Sequence, residues 1–314
     1  MLGVGLYGDN GHQIQNELKN NPKARLAGVC AFKAPPDNVK VYADLEDMLA
    51  DKDIDIVSLC SPIRAEQAAH AVACLNAGKH VYAEKPCALT EEDLDMVMDA
   101  SRKTGKIFRE MAGTAFSEPY FSMSKIVTSG KLGEIVQVFA QKSYPYHDNR
   151  PQDEKIDGGL TLQAGIHALR MVEQVAHVRI KEMTVLETSL GNPKPPGGLK
   201  MASCLSMILE NGGLASVIVN YLNQPGHGAW GNDHLRIFGT KGFVESTDGG
   251  LHTRVIFGKD DWGEIPLAEN TPSYFDTLLD AIANENRFPL TLDEELHPLR
   301  MAIRARNAVR NGSD

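Results

Sequence analysis

Two short stretches hold residues that could do chemistry. "HVYAEKPCALT" (80–90) runs a strand-like pattern straight into Glu84-Lys85-Pro86. Proline cannot donate to a strand ladder and holds its predecessor out of the helical region. Lys85 is therefore extended at a strand end with its exit direction fixed, which an ordinary surface lysine does not need. The second stretch, "GDNGHQ" (8–13), follows the first apolar run. A dinucleotide site wants G-x-G-x-x-G there, for a tight turn, approach of a pyrophosphate and close helix–strand packing. Gly8 matches. Asn10 and Gln13 stand at the second and third glycine positions, and Gly11 is displaced by one. Asparagine tolerates left-handed backbone angles, so the turn can survive. A short helix expected from about Gln13 would then aim its N-terminus at a phosphate. A plain strand–turn–helix is the other reading.

An acidic residue about 20 positions on normally binds the ribose hydroxyls. Here the second strand ends "GVCAFKAPP", with Ala31 and Phe32 in that place and Lys33 beside them. Loss of the acid removes a repulsion against a 2′-phosphate and Lys33 could pair with one, which favours NADP over NAD. Lys33 also reads simply as an exposed loop residue.

These residues need elements to position them. From 1 to about 118, apolar strands alternate with helices: strands at 2–7, 25–31, 54–60, "KHVYAE" and 106–111, and helices at 65–78 and after Thr90. Thr90 caps the latter with Asp93 at the capping-box position, and Gly105 stops it. Continuous apolar strands separated by helices mean a parallel sheet covered on both faces. If 39–42 is a strand, residues 32–38, with two prolines, are too short for a crossover helix of about 10–12 residues. The second half changes character. After a helix at about 117–129, longer alternating strands are expected near 134–144, 180–188, 201–209, 213–221, 234–240 and 250–257. One helix interrupts them at about 160–176, and two close the chain at 271–285 and 293–311. Tight turns such as "ENGG" and "GTKG" suit antiparallel neighbours. The expected fold is thus a Rossmann-type doubly wound α/β domain over 1–118, then an α+β domain over 119–314 on a large, mostly antiparallel sheet. Such a sheet needs its open face covered, and a homodimer or homotetramer would do so.

Length and composition bound the rest. The 314 residues suit about two domains of roughly 150 residues each. A net charge of −9 argues against nucleic acid and anionic membranes as partners. The arginines at 300, 304, 306 and 310 sit in the last turns of a helix and read as a solvated helix end. Five cysteines, at 30, 60, 74, 87 and 204, form no CxxC pair, which fits a reducing compartment. The apolar strand starts at Leu2, so no signal peptide is expected. A cytoplasmic location follows as an expectation. Histidines 147, 167, 227 and 234 lack metal-ligand spacing.

The chain resembles the Gfo/Idh/MocA oxidoreductases. The likeness rests on "LYGDNGH" (6–12), "SLCSPIRAEQAAHAVACLNAGKHVYAEKP" (58–86), "SGKLGEI" (129–135), "GGLTLQAGIHAL" (158–169) and "LRIFGTKGFVE" (235–245), in that order. It implies cofactor contacts from Gly8, Asp9, Asn10, Gly11, His12, Ala31, Lys33, Cys60, Ser61, Pro62, Glu84 and Lys85. It also implies a cis Lys85–Pro86 bond, with Lys85 pointing at the nicotinamide and substrate. The family's second motif, G-G-G-x-L-x-D-x-G-x-H-x-x-D, reads here with His167 retained, Gln163 for the first acid and Arg170 for the second. Four-residue spacing on a helix would put Gln163 and His167 on one face. Glutamine can orient a hydroxyl but cannot take a proton. His167 would be the base, or else a satisfied core histidine. Loops 144–154 and 223–234 could supply substrate contacts.

The activity implied is NAD(P)-dependent hydride transfer to or from a sugar, cyclitol or related polyol, with catalytic Lys85, His167 and Gln163. A non-catalytic nucleotide- or sugar-binding sensor of the same fold is the alternative, as is a redox-neutral NAD-dependent glycoside-processing enzyme.

Overall fold

The computed structural model describes residues 1–271, 273–284 and 288–311, the last three as backbone only. The chain divides into two compact units. One takes residues 1–112, 155–158 and 274–297; the other takes 113–154, 159–273 and the chain from Pro298 on.

In the first unit, β1 (Leu2–Tyr7), β2 (Ala24–Cys30), β3 (Ile56–Leu59), β4 (His80–Ala83) and β5 (Phe108–Glu110) form one sheet. The order is β2-β1-β3-β4-β5 and every neighbour is parallel. β3 is buried along its whole length, as a strand covered on both faces must be. Helices Leu45–Ala50, Gln67–Asn76 and Glu91–Thr104 link the strands. The last has the ends its sequence marks. Asp93 N–H donates to Thr90 Oγ1 at 3.1 Å, and Gly105 closes the helix at φ +69°.

The helix expected from Gln13 is absent; residues 15–20 are turns. The physical reason is local competition. Gln13 Nε2 donates to the carbonyls of Gly8 (2.9 Å) and Ser58 (3.2 Å), and Asn21 Oδ1 accepts from Lys23 N–H at 2.8 Å. Asn20 turns the chain at φ +60°, two residues before Pro22. The stretch 39–42 reduces to one bridge, Val29 to Val41, and residues 32–38 hold no helix.

In the second unit, β6 (Ile135–Ser143), β7 (Ile180–Thr188), β8 (Ala202–Leu209), β9 (Leu214–Asn220), β10 (His234–Gly239), β11 (Gly242–Thr247), β12 (His252–Phe257) and β13 (Asp260–Glu264) form an eight-stranded sheet. The order is β13-β12-β11-β10-β6-β9-β8-β7; β6 and β9 are parallel and the other neighbours antiparallel. β8 alternates strictly, with Cys204, Ser206 and Ile208 outward. β11 and β13 go beyond the expected strands. "DDWGE" has little strand propensity and is a strand through its pairing with β12.

The helix expected across 160–176 is broken into Gly159–Gln163, Gly165–Arg170 and a π-helical turn, Met171–Val175. A Cβ added at Gly165 would make ordinary contact with β9, 3.4 Å from Val219 Cγ2. The arginine-rich helix end is also not wholly solvated. Arg306 is buried, with Nη1 3.9 Å from Glu154 Oε2; the Arg310 side chain lies outside the described residues. Among the described residues, no helix is long and apolar enough to cross a membrane.

Candidate functional site

In the first unit, β4 delivers Glu84 and Lys85 to the C-terminal edge of the parallel sheet, where Glu84 N–H donates to Leu59 O at 2.7 Å. The Lys85–Pro86 bond is cis. Both charged side chains are only 2% exposed, and Lys85 Nζ lies 3.8 Å from Glu84 Oε1. The Glu84 carboxylate also accepts the His12 backbone N–H and lies 3.0 Å from His12 Nδ1. Burial would raise the Glu84 pKa. The His12 hydrogen bond and the charges of Lys85, His12 and Arg64 outweigh it and hold it at about 2.

The glycine turn is built around this carboxylate. Gly8 sits at φ +73°, and a Cβ there would overlap the Cys60 carbonyl oxygen; only glycine fits. A Cβ on Gly11 would press on the Glu84 side chain. Gly8 N–H donates to Cys30 O (2.9 Å), Asn10 N–H to Cys60 O (3.2 Å) and Gly11 N–H to Asp9 O (3.2 Å). Asn10 Nδ2 donates to Pro62 O (3.0 Å) and Ile156 O (2.8 Å), stitching segment 155–158 into this unit. Ser61 Oγ lies 3.0 Å from His70 Nδ1, and Cys60 is buried. Beneath the loop, the buried Arg64 donates from Nη2 to Asn10 O at 2.6 Å and from Nη1 to Gln67 Oε1. Burial pulls its pKa down against the charge of Glu84. At the end of β2, Ala31 adopts φ +54° and Lys33 N–H donates to Asp9 Oδ2 at 3.0 Å. The loop's own aspartate thus reaches the place where the ribose-binding acid is missing.

Gly8 to His12, Cys60, Pro62, Glu84 and Lys85 therefore come together, and Asp9 ties Lys33 to them. Gly8, Asp9, His12, Lys33 and Lys85 are the residues at this turn that would hold a nicotinamide dinucleotide. No helix dipole contributes, and the amides of Gly8, Asn10, Gly11 and His12 already have acceptors in the protein.

In the second unit, Gln163 and His167 belong to separate helical segments, so a continuous helix does not align them. Tyr221 O–H donates to Gln163 Oε1 at 3.2 Å, and the Arg150 guanidinium lies 3.5 Å from the Tyr221 ring centroid. His167 Nδ1 is 3.0 Å from Thr114 Oγ1. The two loops singled out in the sequence meet: Trp230 lies 6.3 Å from Tyr144 and 6.1 Å from His147, centroid to centroid. Next to them the buried Lys142 pairs with Asp233, which also receives the Tyr120 hydroxyl at 3.5 Å. Burial works against the Lys142 charge, but Tyr144 and Asp233 raise its pKa above the ordinary lysine value. Sequence reasoning missed Thr114, Lys142 and Tyr221; Arg150 and Asp233 lie in the two loops it singled out but were not picked out individually. For Lys142 a signal existed: it follows Val138 and Ala140 on the inward face of β6.

Comparison with known proteins completes the picture. Residues 1–111 match the oxidoreductase family, NAD-binding Rossmann fold, and residues 120–245 match the GFO/IDH/MocA C-terminal domain. The chain is 30% identical to inositol 2-dehydrogenase of Salmonella typhimurium over 149 residues, 44% of this chain and 43% of the relative. It is 30% identical to D-glucoside 3-dehydrogenase of Escherichia coli over 179 residues, 54% of this chain and 51% of the relative. The matches thus span about half the length of these relatives or less. The aldose-aldose oxidoreductase of Caulobacter crescentus, complexed with glycerol, superposes with a TM-score of 0.84 at 20% identity, over 99% of this chain and 98% of that one. That likeness is one of fold. Because domains of one family match both halves in order, and the glycine turn, Glu84-Lys85-Pro86 and His167 all lie in the matched regions, the chain belongs to the Gfo/Idh/MocA family of oxidoreductases, with its NAD-binding Rossmann domain.

Proposed function

We propose that the protein is a nicotinamide-dependent oxidoreductase acting on a carbinol of a sugar, cyclitol or related polyol. The observation that carries this reading is Lys85, a lysine 2% exposed, held beside Glu84 at the edge of a nucleotide-binding sheet. Burying an ammonium is costly; the Glu84 carboxylate offsets that cost and keeps Lys85 charged, ready to stabilise a reacting oxygen. Oxidation of a carbinol removes a hydride from carbon and a proton from oxygen; a bound nicotinamide supplies the hydride acceptor. Lys85 donates a hydrogen bond to the reacting oxygen and stabilises its developing negative charge. In the second unit, His167 is the base. Nδ1 is hydrogen-bonded to Thr114 Oγ1; in the tautomer that carries its proton on Nδ1, the lone pair sits on Nε2, which takes the proton. Gln163, held by Tyr221, orients a substrate hydroxyl.

The test follows reduced-nicotinamide absorbance over a polyol panel. Lys85→Ala should abolish turnover while cofactor binding persists; full activity in that variant overturns the mechanism. NADP should bind at least as tightly as NAD, since Ala31 stands where the ribose-binding acid would be and Lys33 lies beside it. NAD binding tenfold tighter, about 1.4 kcal/mol, contradicts that. One observation favours a second reading, a non-catalytic sensor: four loop amides already have internal acceptors. Sugar or nucleotide binding without any hydride transfer would select it.

A further inference from the structure

Trp230 is 61% exposed. A flexible loop could carry such a residue without consequence, but this one is held. Asn223, only 7% exposed, donates from Nδ2 to the carbonyls of both Ala229 and Trp230 at 3.0 Å. Asn223 N–H donates to Tyr144 O at 3.0 Å, and Asn232 N–H to Ser143 O at 2.9 Å. Opposite, Arg150 Nη2 donates to Pro145 O at 3.0 Å. Both loops are therefore fixed around one another by backbone carbonyls. They present three rings, with Trp230 tilted 39° to Tyr144 and 35° to His147.

A polar group stands beside these rings. A Cβ placed on Gly231 would lie 3.4 Å from Asp233 Oδ1 and 3.5 Å from Tyr144 Cε1. Asp233 Oδ1 thus flanks Gly231, the residue after the tryptophan, as the Tyr144 edge does. Its sister oxygen pairs with Lys142. Oδ1 is buried and has no hydrogen-bond partner among the described residues. A buried carboxylate oxygen without a donor is costly, and a ligand hydroxyl would satisfy it.

From this arrangement we infer that Trp230, with Tyr144 and His147, is a stacking platform for a pyranose ring, and that Asp233 Oδ1 accepts one of that ring's hydroxyls. A tryptophan face is electron-rich, and it attracts the polarised axial C–H bonds that line one face of a gluco-configured pyranose. An acyclic polyol presents no rigid C–H face and gains little. The inference rests on the sugar-like substrate proposed above and narrows it to a cyclic glycoside.

The experiment reads binding rather than turnover. The sequence holds two tryptophans, Trp230 and Trp262, so Trp262→Phe leaves Trp230 as the sole reporter. Methyl β-glucopyranoside should change its emission saturably, and mannitol should not. By calorimetry on the full chain, Trp230→Leu should weaken pyranoside binding about tenfold or more, and Trp230→Tyr should keep it within about threefold. The inference is overturned if the pyranoside fails to bind, binds without an emission change, or binds Trp230→Leu as tightly as the parent. A Trp230 response without hydride transfer on any polyol would leave this site standing and sink the oxidoreductase reading. Hydride transfer without a Trp230 response would do the reverse.

Discussion

Glu84 accepts the backbone N–H of His12, a residue 72 positions away, with the same carboxylate that faces Lys85. One buried anion therefore anchors both the glycine turn and the lysine.

Glu84→Ala should destabilise the fold by roughly 3–5 kcal/mol, the usual cost of breaking a buried ion pair. Glu84→Gln keeps an acceptor for His12 and should cost less, about 1–3 kcal/mol. The glutamine variant should also bind NAD or NADP more tightly, because the native carboxylate repels and competes with a diphosphate at the turn. Urea unfolding and a cofactor titration check both. A glutamine variant that binds more weakly would contradict the competition.

Acid should weaken the fold in two windows. His80 accepts the Ile107 N–H on Nδ1 at 3.0 Å and is neutral. Burial, with the nearby Lys106 charge, depresses its pKa from 6.5 to about 4. Protonation then favours the unfolded chain, so stability falls as pH drops from 6.5 toward 4. Glu84 has an ordinary value of 4.5 and a folded value of about 2. Its stabilisation is complete above 4.5 and is lost as pH falls toward 2. Urea midpoints across pH 7 to 2 should show both losses. The lower one should shrink in Glu84→Gln and the upper one in His80→Asn, the remainder coming from the other lowered carboxylates, Asp51 and Glu245, and the other lowered histidines, His70, His147, His177 and His234.

Tyr221→Phe should leave stability within about 1.5 kcal/mol and lower kcat, because Gln163 loses the hydroxyl that orients it. Gln163→Asp should lower kcat as well, by placing a carboxylate where Tyr221 and a substrate hydroxyl expect an amide. His167→Ala should cost about 10²–10⁴-fold, the range for general acid–base catalysis. A rise in kcat for Gln163→Asp would mean that glutamine is a loss rather than an adaptation.

The outward face of the second-unit sheet exposes Leu186, Ile208 and Leu214. We expect a second copy to cover them. Light scattering at micromolar concentration should give at least twice 34.3 kDa. A monomer, unchanged in Leu186→Lys, would refute this.

The strands and the parallel sheet of the first unit were legible because continuous apolar strands and capped helices speak locally. The Thr90 cap and Gly105 stop came out as their residue types required. The missing helix after β1 was not legible, since Gln13 and Asn21 read equally as helix residues until their side-chain partners are known. β13 was hidden for the opposite reason: its residues disfavour a strand, and only β12 makes it one. At the site, Lys85 was marked by its proline. Asp233 and Tyr221 carry no local mark; partners 91 and 58 residues away in sequence define them.

The turns at 15–20 have a kinetic consequence. A helix N-terminus would place a positive partial charge at the loop for an anionic dinucleotide to meet on arrival. Without one, the cofactor approaches a chain of net charge −9, and long-range forces slow the encounter rather than steer it. Salt shortens the reach of that repulsion to about 8 Å at physiological ionic strength. Association of the cofactor should therefore quicken as salt is added, the reverse of electrostatically steered capture.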